Sequence, residues 1–168
     1  MSTVNLQGNP VRTAGALPTS GEKAPDFTVV TADLKEISLS DLAGKKVVLN
    51  IFPSVDTDVC ALQLKSFARK LAGREDVAAV FVSMDLPFAQ ARFCAAEGVD
   101  NAITGSDFRH RSLAERYGVA LKDGPLAGLY ARATLVIDGD GLVRYSELVE
   151  EITEEPDYDA AMQALETL

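Results

Sequence analysis

The sequence predicts an α/β fold in which a central sheet is flanked by helices. Three observations predict it. Val47 to Phe52 and Val77 to Met84 are near-continuous apolar runs of strand length, the pattern of strands buried on both faces. Segments with helical signals alternate with these runs along the chain. Near the end, Gly139-Asp140-Gly141 joins Ala133–Ile137 to Leu142–Leu148 as a hairpin. The chain has 168 residues, 47% of them hydrophobic, enough for one domain over 1–168 with a full core.

The elements follow in order. Residues 1–20 carry short alternating stretches on either side of Gly8-Asn9-Pro10 and read as an N-terminal hairpin laid on the domain. Ala24-Pro25-Asp26 opens a strand over Phe27–Thr31, and Leu34–Leu39 is a second short strand beside it. Pro53 stops the apolar run at Phe52, and a helix follows over about Val59–Ala72. Pro87 suits a first helical position, and Gly98 suits the residue just past a helix end. A third helix is expected over Phe108–Tyr117. Pro156 and Asp157 open the last, where the helix dipole favours acidic residues.

Composition excludes several function classes. The formal charge is −9, and tryptophan is absent. An acidic surface repels phosphate backbones and anionic headgroups, so nucleic acid and membrane are not expected partners. No apolar run approaches the roughly 20 residues that span a bilayer. The first twenty residues hold one cation, Arg12, and no apolar signal core, so a cytoplasmic location is expected. With one histidine and two cysteines, no cluster has zinc-ligand spacing. There is no phosphate-binding loop and no dinucleotide fingerprint, and no cofactor is expected.

The two thiols remain. Cys60 falls in the first turn of its helix, where unpaired N–H groups and the positive dipole end favour a thiolate. At 100° per residue it shares a stripe with Leu64, Phe67, Ala68 and Leu71, while Gln63, Lys65 and Ser66 are expected on the other side. It therefore points to the core, and an inert buried thiol fits that position as well as a reactive one. Cys94 lies near Gln90, Ala91 and Glu97, off the expected apolar stripe of Ala89, Phe93 and Ala96, which implies partial access to solvent. Arg132 sits where Ala127–Ala131 meets the strand Ala133–Ile137, and is either a snorkelling surface side chain or a guanidinium requiring an anion. Thr57 is either a helix cap or a hydroxyl in a site, and Pro53 either a strand stop or a stiffener of that site. His110 and the acidic stretch Glu147–Asp159 read as solvated surface.

Pro53, Thr57 and Cys60 stand at the spacing Pro, three residues, Thr, two residues, Cys. In this the chain resembles the peroxiredoxins, and Asn50-Ile51-Phe52-Pro53-Ser54 with Asp56-Thr57 and Cys60 resembles their bacterial thiol peroxidase branch. Gln7-Gly8-Asn9-Pro10, Ala24-Pro25-Asp26-Phe27, Asp85-Leu86-Pro87-Phe88-Ala89-Gln90, Arg92-Phe93-Cys94, Gly124-Pro125-Leu126 and Glu154-Glu155-Pro156-Asp157-Tyr158 extend the resemblance over essentially the whole chain. It implies a thioredoxin-like fold with a mixed sheet. It implies reduction of hydrogen peroxide and organic hydroperoxides by a Cys60 thiolate aided by Pro53, Thr57 and Arg132. It further implies resolution by Cys94 through an intramolecular disulfide, recycling by thioredoxin, and a homodimer. Bridging requires Cα atoms within about 7 Å, so unwinding after Thr57 and around Phe93-Cys94-Ala95 is expected. A general thiol–disulfide oxidoreductase is disfavoured because no Cys-x-x-Cys is present. An inactive interaction protein is disfavoured because Pro53, Thr57, Cys60 and Arg132 occur together.

Overall fold

The computed structural model describes residues 1–168. Seven strands form a mixed sheet: β3 (Thr28–Thr31), β4 (Glu36–Ser38), β5 (Lys46–Ile51), β6 (Val77–Ser83), β7 (Ile103–Ser106), β8 (Ala133–Ile137) and β9 (Val143–Leu148). Their spatial order is β4-β3-β7-β6-β5-β8-β9. The central trio β5, β6 and β7 is parallel, and the outer pairings are antiparallel. Helices α1 (Asp58–Lys70) and α2 (Pro87–Glu97) are the crossovers of the parallel trio. Helix α3 (Ser112–Arg116) follows β7, and α4 (Tyr158–Glu166) closes the chain. No helix is long and apolar enough to cross a membrane.

Alternation along the central strands builds two cores. Val48 on β5 and Phe52 just after it, with Ala79 and Phe81 on β6, face Leu64 and Phe67 of α1 and Ala161 and Leu165 of α4. Leu49 and Ile51, with Val80 and Val82, face Leu113, Ala114 and Tyr117 around α3. Side chains of period two thus fill both faces of one sheet, which is why these strands read as apolar runs. The third small core is formed by Val4, Val11, Leu121, Ala131 and Ile152. It attaches the hairpin of β1 (Thr3–Leu6) and β2 (Asn9–Arg12) to the residue preceding Arg132.

Several elements differ from the sequence expectation. The hairpin turns on Gln7-Gly8, both at positive φ (52° and 82°), so Asn9 and Pro10 lie within β2. Positive φ at both central residues is the two-residue turn that matches strand twist. The second short strand shrinks to Glu36–Ser38, and Leu39–Leu42 is a 3-10 helix. Strand β7 has no signature in the sequence, because Ile-Thr-Gly-Ser carries no apolar run. Yet it joins the parallel trio to β3, and a Cβ at Gly105 would lie 2.4 Å from Val29 Cγ2. The third helix begins at Ser112 rather than Phe108. Asp107 sets that start by accepting the backbone N–H groups of Ser112 (2.9 Å) and Leu113 (2.8 Å).

Candidate active site

The parallel trio sends the ends of β5, β6 and β7 to one edge of the sheet, where crevices of α/β folds gather function. Phe52 still bonds Val82 O through its N–H (3.2 Å), and then Pro53, without an N–H, ends the ladder. Residues 53–57 form a loop anchored by the side chain of Asp85, which follows β6. Its carboxylate accepts the Ser54 hydroxyl (2.8 Å), the Val55 N–H (2.9 Å) and the Ser83 hydroxyl (2.6 Å). Hydrogen bonds to an ionised acceptor are about twice as strong as neutral ones. The loop that delivers α1 is therefore set by a residue that also leads into α2.

Thr57 occupies the N-cap of α1 in extended conformation, but its side chain does not cap the helix. Its hydroxyl donates to Ser54 O (3.0 Å), and its carbonyl accepts the Ala61 N–H (3.0 Å). The helix-cap alternative for the Thr57 side chain therefore does not hold. What its exposed Oγ1 offers outward is acceptor capacity. Three residues on, Cys60 is fully buried, on the core face as its periodicity predicts. Pro53 is buried as well.

Arg132 is only 2% exposed, so the snorkelling alternative does not hold. It precedes β8, which lies beside β5. Its Nε donates to Ile152 O (2.9 Å), and its Nη1 donates to Gln63 Oε1 (2.9 Å) and to Cys60 Sγ (3.3 Å). None of these hydrogen bonds goes to a carboxylate. A buried guanidinium with neutral oxygen partners needs an anion, and among its hydrogen-bond partners the Cys60 thiol is the one able to become one. Conversely, a buried thiolate is costly unless a cation faces it.

Gln63 lies in this cluster, fully buried, not on the solvated flank expected for it. The signal was available, since Cys60, Gln63 and Phe67 fall at i, i+3 and i+7 of one helix face. Its Nε2 donates to Asn50 Oδ1 (3.0 Å), which also accepts the Thr134 hydroxyl (3.2 Å). Asn50 and Thr134 are register partners on β5 and β8. Hydrogen-bond polarity therefore runs from Arg132 through Gln63 to Asn50, and it orients the amide oxygen of Gln63 toward the guanidinium.

Cys94 is half-buried on α2, and burial pushes its thiol above the usual range. Both cysteines are free thiols. The expected apolar stripe of α2 is corrected: Pro87 and Gln90 are the buried residues, and Ala96 is exposed. Gln90 faces inward because its Nε2 donates to Ser83 Oγ and Gly105 O, both at 3.0 Å. Helix α1 is tied to α2 by the Lys65–Glu97 ion pair (3.3 Å) and to the segment after α2 by Asn101 Nδ2 on Ala68 O (2.8 Å). No group of His, Cys, Asp and Glu side chains is arranged to hold a metal ion. A cleft of about 440 Å³ lined by Ala24, Leu39, Val47 and Ile137 lies at the other end of β5 and belongs to no part of this cluster.

Residues 19–162 match the family model described as Redoxin. The chain is 50% identical over 166 residues to a thiol peroxidase of Leptospira interrogans, covering 98% of this chain and 97% of that one. Among solved structures it resembles a peroxiredoxin-like protein from Aquifex aeolicus (TM-score 0.94, 44% identity, 100% and 98% of the two chains). It also resembles a thiol peroxidase from Chromobacterium violaceum (TM-score 0.90, 25% identity, 98% and 95%).

Proposed function

The chain belongs to the redoxin family, as a thioredoxin-like thiol peroxidase of the peroxiredoxin type, and from that premise we propose that Cys60 is its peroxide-reducing thiol and Cys94 its resolving thiol. The observation that carries the reading is Arg132, buried without a carboxylate and 3.3 Å from Cys60 Sγ. The substrates are hydrogen peroxide and organic hydroperoxides. The Cys60 thiolate attacks one peroxide oxygen, the O–O bond breaks, and the other oxygen leaves as alkoxide or hydroxide, taking up a proton as water or alcohol. Cys60 is left as a sulfenic acid.

Each residue has a role in that step. Arg132 holds the thiolate. Its Nη2, which makes no hydrogen bond within the protein, faces the developing charge. Thr57 Oγ1 accepts a hydrogen bond from the peroxide O–H, and Pro53 withholds a competing N–H and stiffens the loop. The Cys94 thiol then displaces the sulfenic oxygen as water, giving a Cys60–Cys94 disulfide within one chain. Because Cys60 is fully buried and Cys94 half-buried, the first turn of α1 and the segment around Cys94 must open for the sulfurs to meet. A dithiol protein, thioredoxin, reduces the disulfide by exchange.

Residues 1–168 act as one domain in this reading, supported by the hairpin's Val4 and Val11 packing on Ile152 and Ala131. A homodimer is supported by exposed Leu86, Phe88 and Phe108, which follow the ends of β6 and β7 beside the Cys60 edge. Free thiols suit the reducing cytoplasm.

Purified protein is mixed with hydrogen peroxide or an alkyl hydroperoxide, thioredoxin and its reductase, and peroxide consumption is followed. Turnover with an oxidised form that runs as monomer on a non-reducing denaturing gel is expected. A covalent dimer would overturn the intramolecular disulfide, and absence of turnover with any dithiol would overturn the cycle.

A further inference from the structure

The loop between β9 and α4 supplies the carbonyl that fixes Arg132, yet it is not part of the sheet. Ile152 O accepts Arg132 Nε at 2.9 Å. Past Leu148, Val149 N–H bonds Arg132 O (2.9 Å), and at the far end of the loop Asp157 N–H bonds the Glu147 carboxylate of β9 (2.9 Å). Between these two ties, the hydrogen bonds of Glu150 O, Glu151 and Ile152 N–H run to the N-terminal hairpin. Asn5 N–H donates to Glu150 O (2.7 Å), and Ile152 N–H donates to Asn5 O (2.8 Å). The Glu151 carboxylate receives the two N–H groups of the hairpin turn, Gln7 (3.1 Å) and Gly8 (2.8 Å). On its own side it receives Thr153 N–H (3.0 Å) and the Thr153 hydroxyl (2.9 Å). Successive N–H groups at positive φ form an anion-holding concavity, here filled by the protein's own side chain.

We infer that Glu151 is a positioning residue for peroxide reduction, and that the N-terminal hairpin is a strap holding the Ile152 carbonyl, and through it the Arg132 guanidinium, against Cys60. The inference rests on the role of Arg132 proposed above. A loop between elements is mobile unless tied down. If the strap loosens, Ile152 O withdraws, and Arg132 keeps only its Nη1 contacts to Gln63 and Cys60, with nothing holding the Nε side of its fork. Misplacement by about 1 Å of a group that holds reacting atoms can cost about a hundredfold in rate. Partial release through one side chain is expected to cost about tenfold.

The test uses the full chain carrying Cys94→Ser, so that only the first oxidation is followed. Glu151→Gln keeps size but sets an amide N–H₂ against N–H donors, so the strap loses acceptors. Asp123→Asn is the control: Asp123 accepts the Arg12 backbone N–H (2.9 Å) and the Arg12 Nε–H (2.8 Å) at the far end of the hairpin and makes no hydrogen bond to the 149–153 loop. Oxidation of Cys60 by hydrogen peroxide is measured with the pH profile of its alkylation and the thermal midpoint. Glu151→Gln should slow oxidation about tenfold and move the alkylation profile toward alkaline pH, and Asp123→Asn should move neither. Equal slowing in both variants would show general loosening of the hairpin and overturn the inference. An unchanged rate in Glu151→Gln while Arg132→Ala is slow would overturn it alone. Unchanged rates in both Glu151→Gln and Arg132→Ala would overturn the role of Arg132 as well.

Discussion

Replacing Arg132 tests the site most directly, because one side chain carries its electrostatics. At 3.3 Å from Sγ, a unit charge pair is worth about 5 kcal/mol at an effective dielectric of about 20. Water entering the space left by Arg132→Ala, and relaxation of Gln63 and Ile152, return part of that. Loss of one preorganised donor commonly costs about 3–4 kcal/mol. A barrier rise of about 3 kcal/mol corresponds to a rate fall of about a hundredfold, at 1.36 kcal/mol per decade. Arg132→Met fills most of the same volume without charge. It should show the same kinetic loss with little loss of stability, since a buried charge and its desolvation are removed together. Arg132→Lys keeps the charge but not the fork that reaches Ile152, Gln63 and Cys60 at once, so it should recover only part of the rate. The assay is competition for hydrogen peroxide against a haem peroxidase of known rate, since the chain has no tryptophan to report the step. A folded Arg132→Met variant within threefold of the parent would refute the argument that Arg132 holds the thiolate.

Cys60→Ser should abolish turnover, because a hydroxyl has no accessible anion near neutral pH; residual peroxidase activity above a few per cent would move the chemistry to Cys94. Cys94→Ser should keep the first oxidation and lose thioredoxin-linked cycling, and mass spectrometry after one equivalent of peroxide should show a persistent or over-oxidised sulfur on Cys60. Asp85→Asn weakens the anchors on Ser54 and Val55, so disulfide formation should speed up by several-fold while the first oxidation slows, as rapid-quench mass analysis would report; a change of the same sign in both steps would contradict it. Backbone N–H groups of Thr153 and Gly8 hold the Glu151 carboxyl down to about 2, from an ordinary 4.5. A carboxylate with a depressed folded pKa contributes stability above its unfolded value, lost as pH falls through the folded one. Protection of the Gly8 amide, taken relative to the intrinsic exchange rate at each pH, should therefore fall between about pH 4.5 and 2, and constant protection there would show that the carboxylate does not hold the turn.

Much of the architecture was legible because it is written in periodicity. The runs of β5, β6 and β8 announce strands buried on both faces, and Pro87 with Gly98 delimits α2. Strand β7 was not legible, because its place depends on Gly105 admitting Val29, a contact between segments far apart in sequence. Helix α3 was drawn too long because its start is set by Asp107, whose carboxylate reaches forward from β7. In the site, Cys60 and Thr57 were legible as a local motif. Arg132 was ambiguous until its burial was known, since an isolated Arg beside a strand looks the same in sequence whether buried or exposed. Gln63 was misassigned because a polar side chain was sent to the polar face. A charged group buried elsewhere in the fold reversed that preference, and only tertiary structure brings the two together.

In the proposed cycle, the same cluster serves two steps with opposite demands. Peroxide reduction needs the thiolate held still, dry and facing Arg132. Disulfide formation needs the same sulfur to leave that pocket and meet a thiol on another helix. The anchors are divided accordingly. Arg132 and Gln63 grip the sulfur end of the site from the side of β8 and α1. Asp85 grips the loop end from the turn that leads into α2. Oxidation to a sulfenic acid removes the negative charge that Arg132 faces, so the grip on the sulfur weakens once the first step is complete. The grip on the loop does not involve that charge and persists until Ser54 and Val55 release Asp85. Since Asp85 also receives Ser83, which receives Gln90 of α2, release of the loop loosens the start of the helix that carries Cys94. In the proposed cycle, charge loss at Cys60 thus frees the sulfur end alone, and release of Asp85 is the separate event that loosens both thiol-bearing segments through one continuous set of hydrogen bonds.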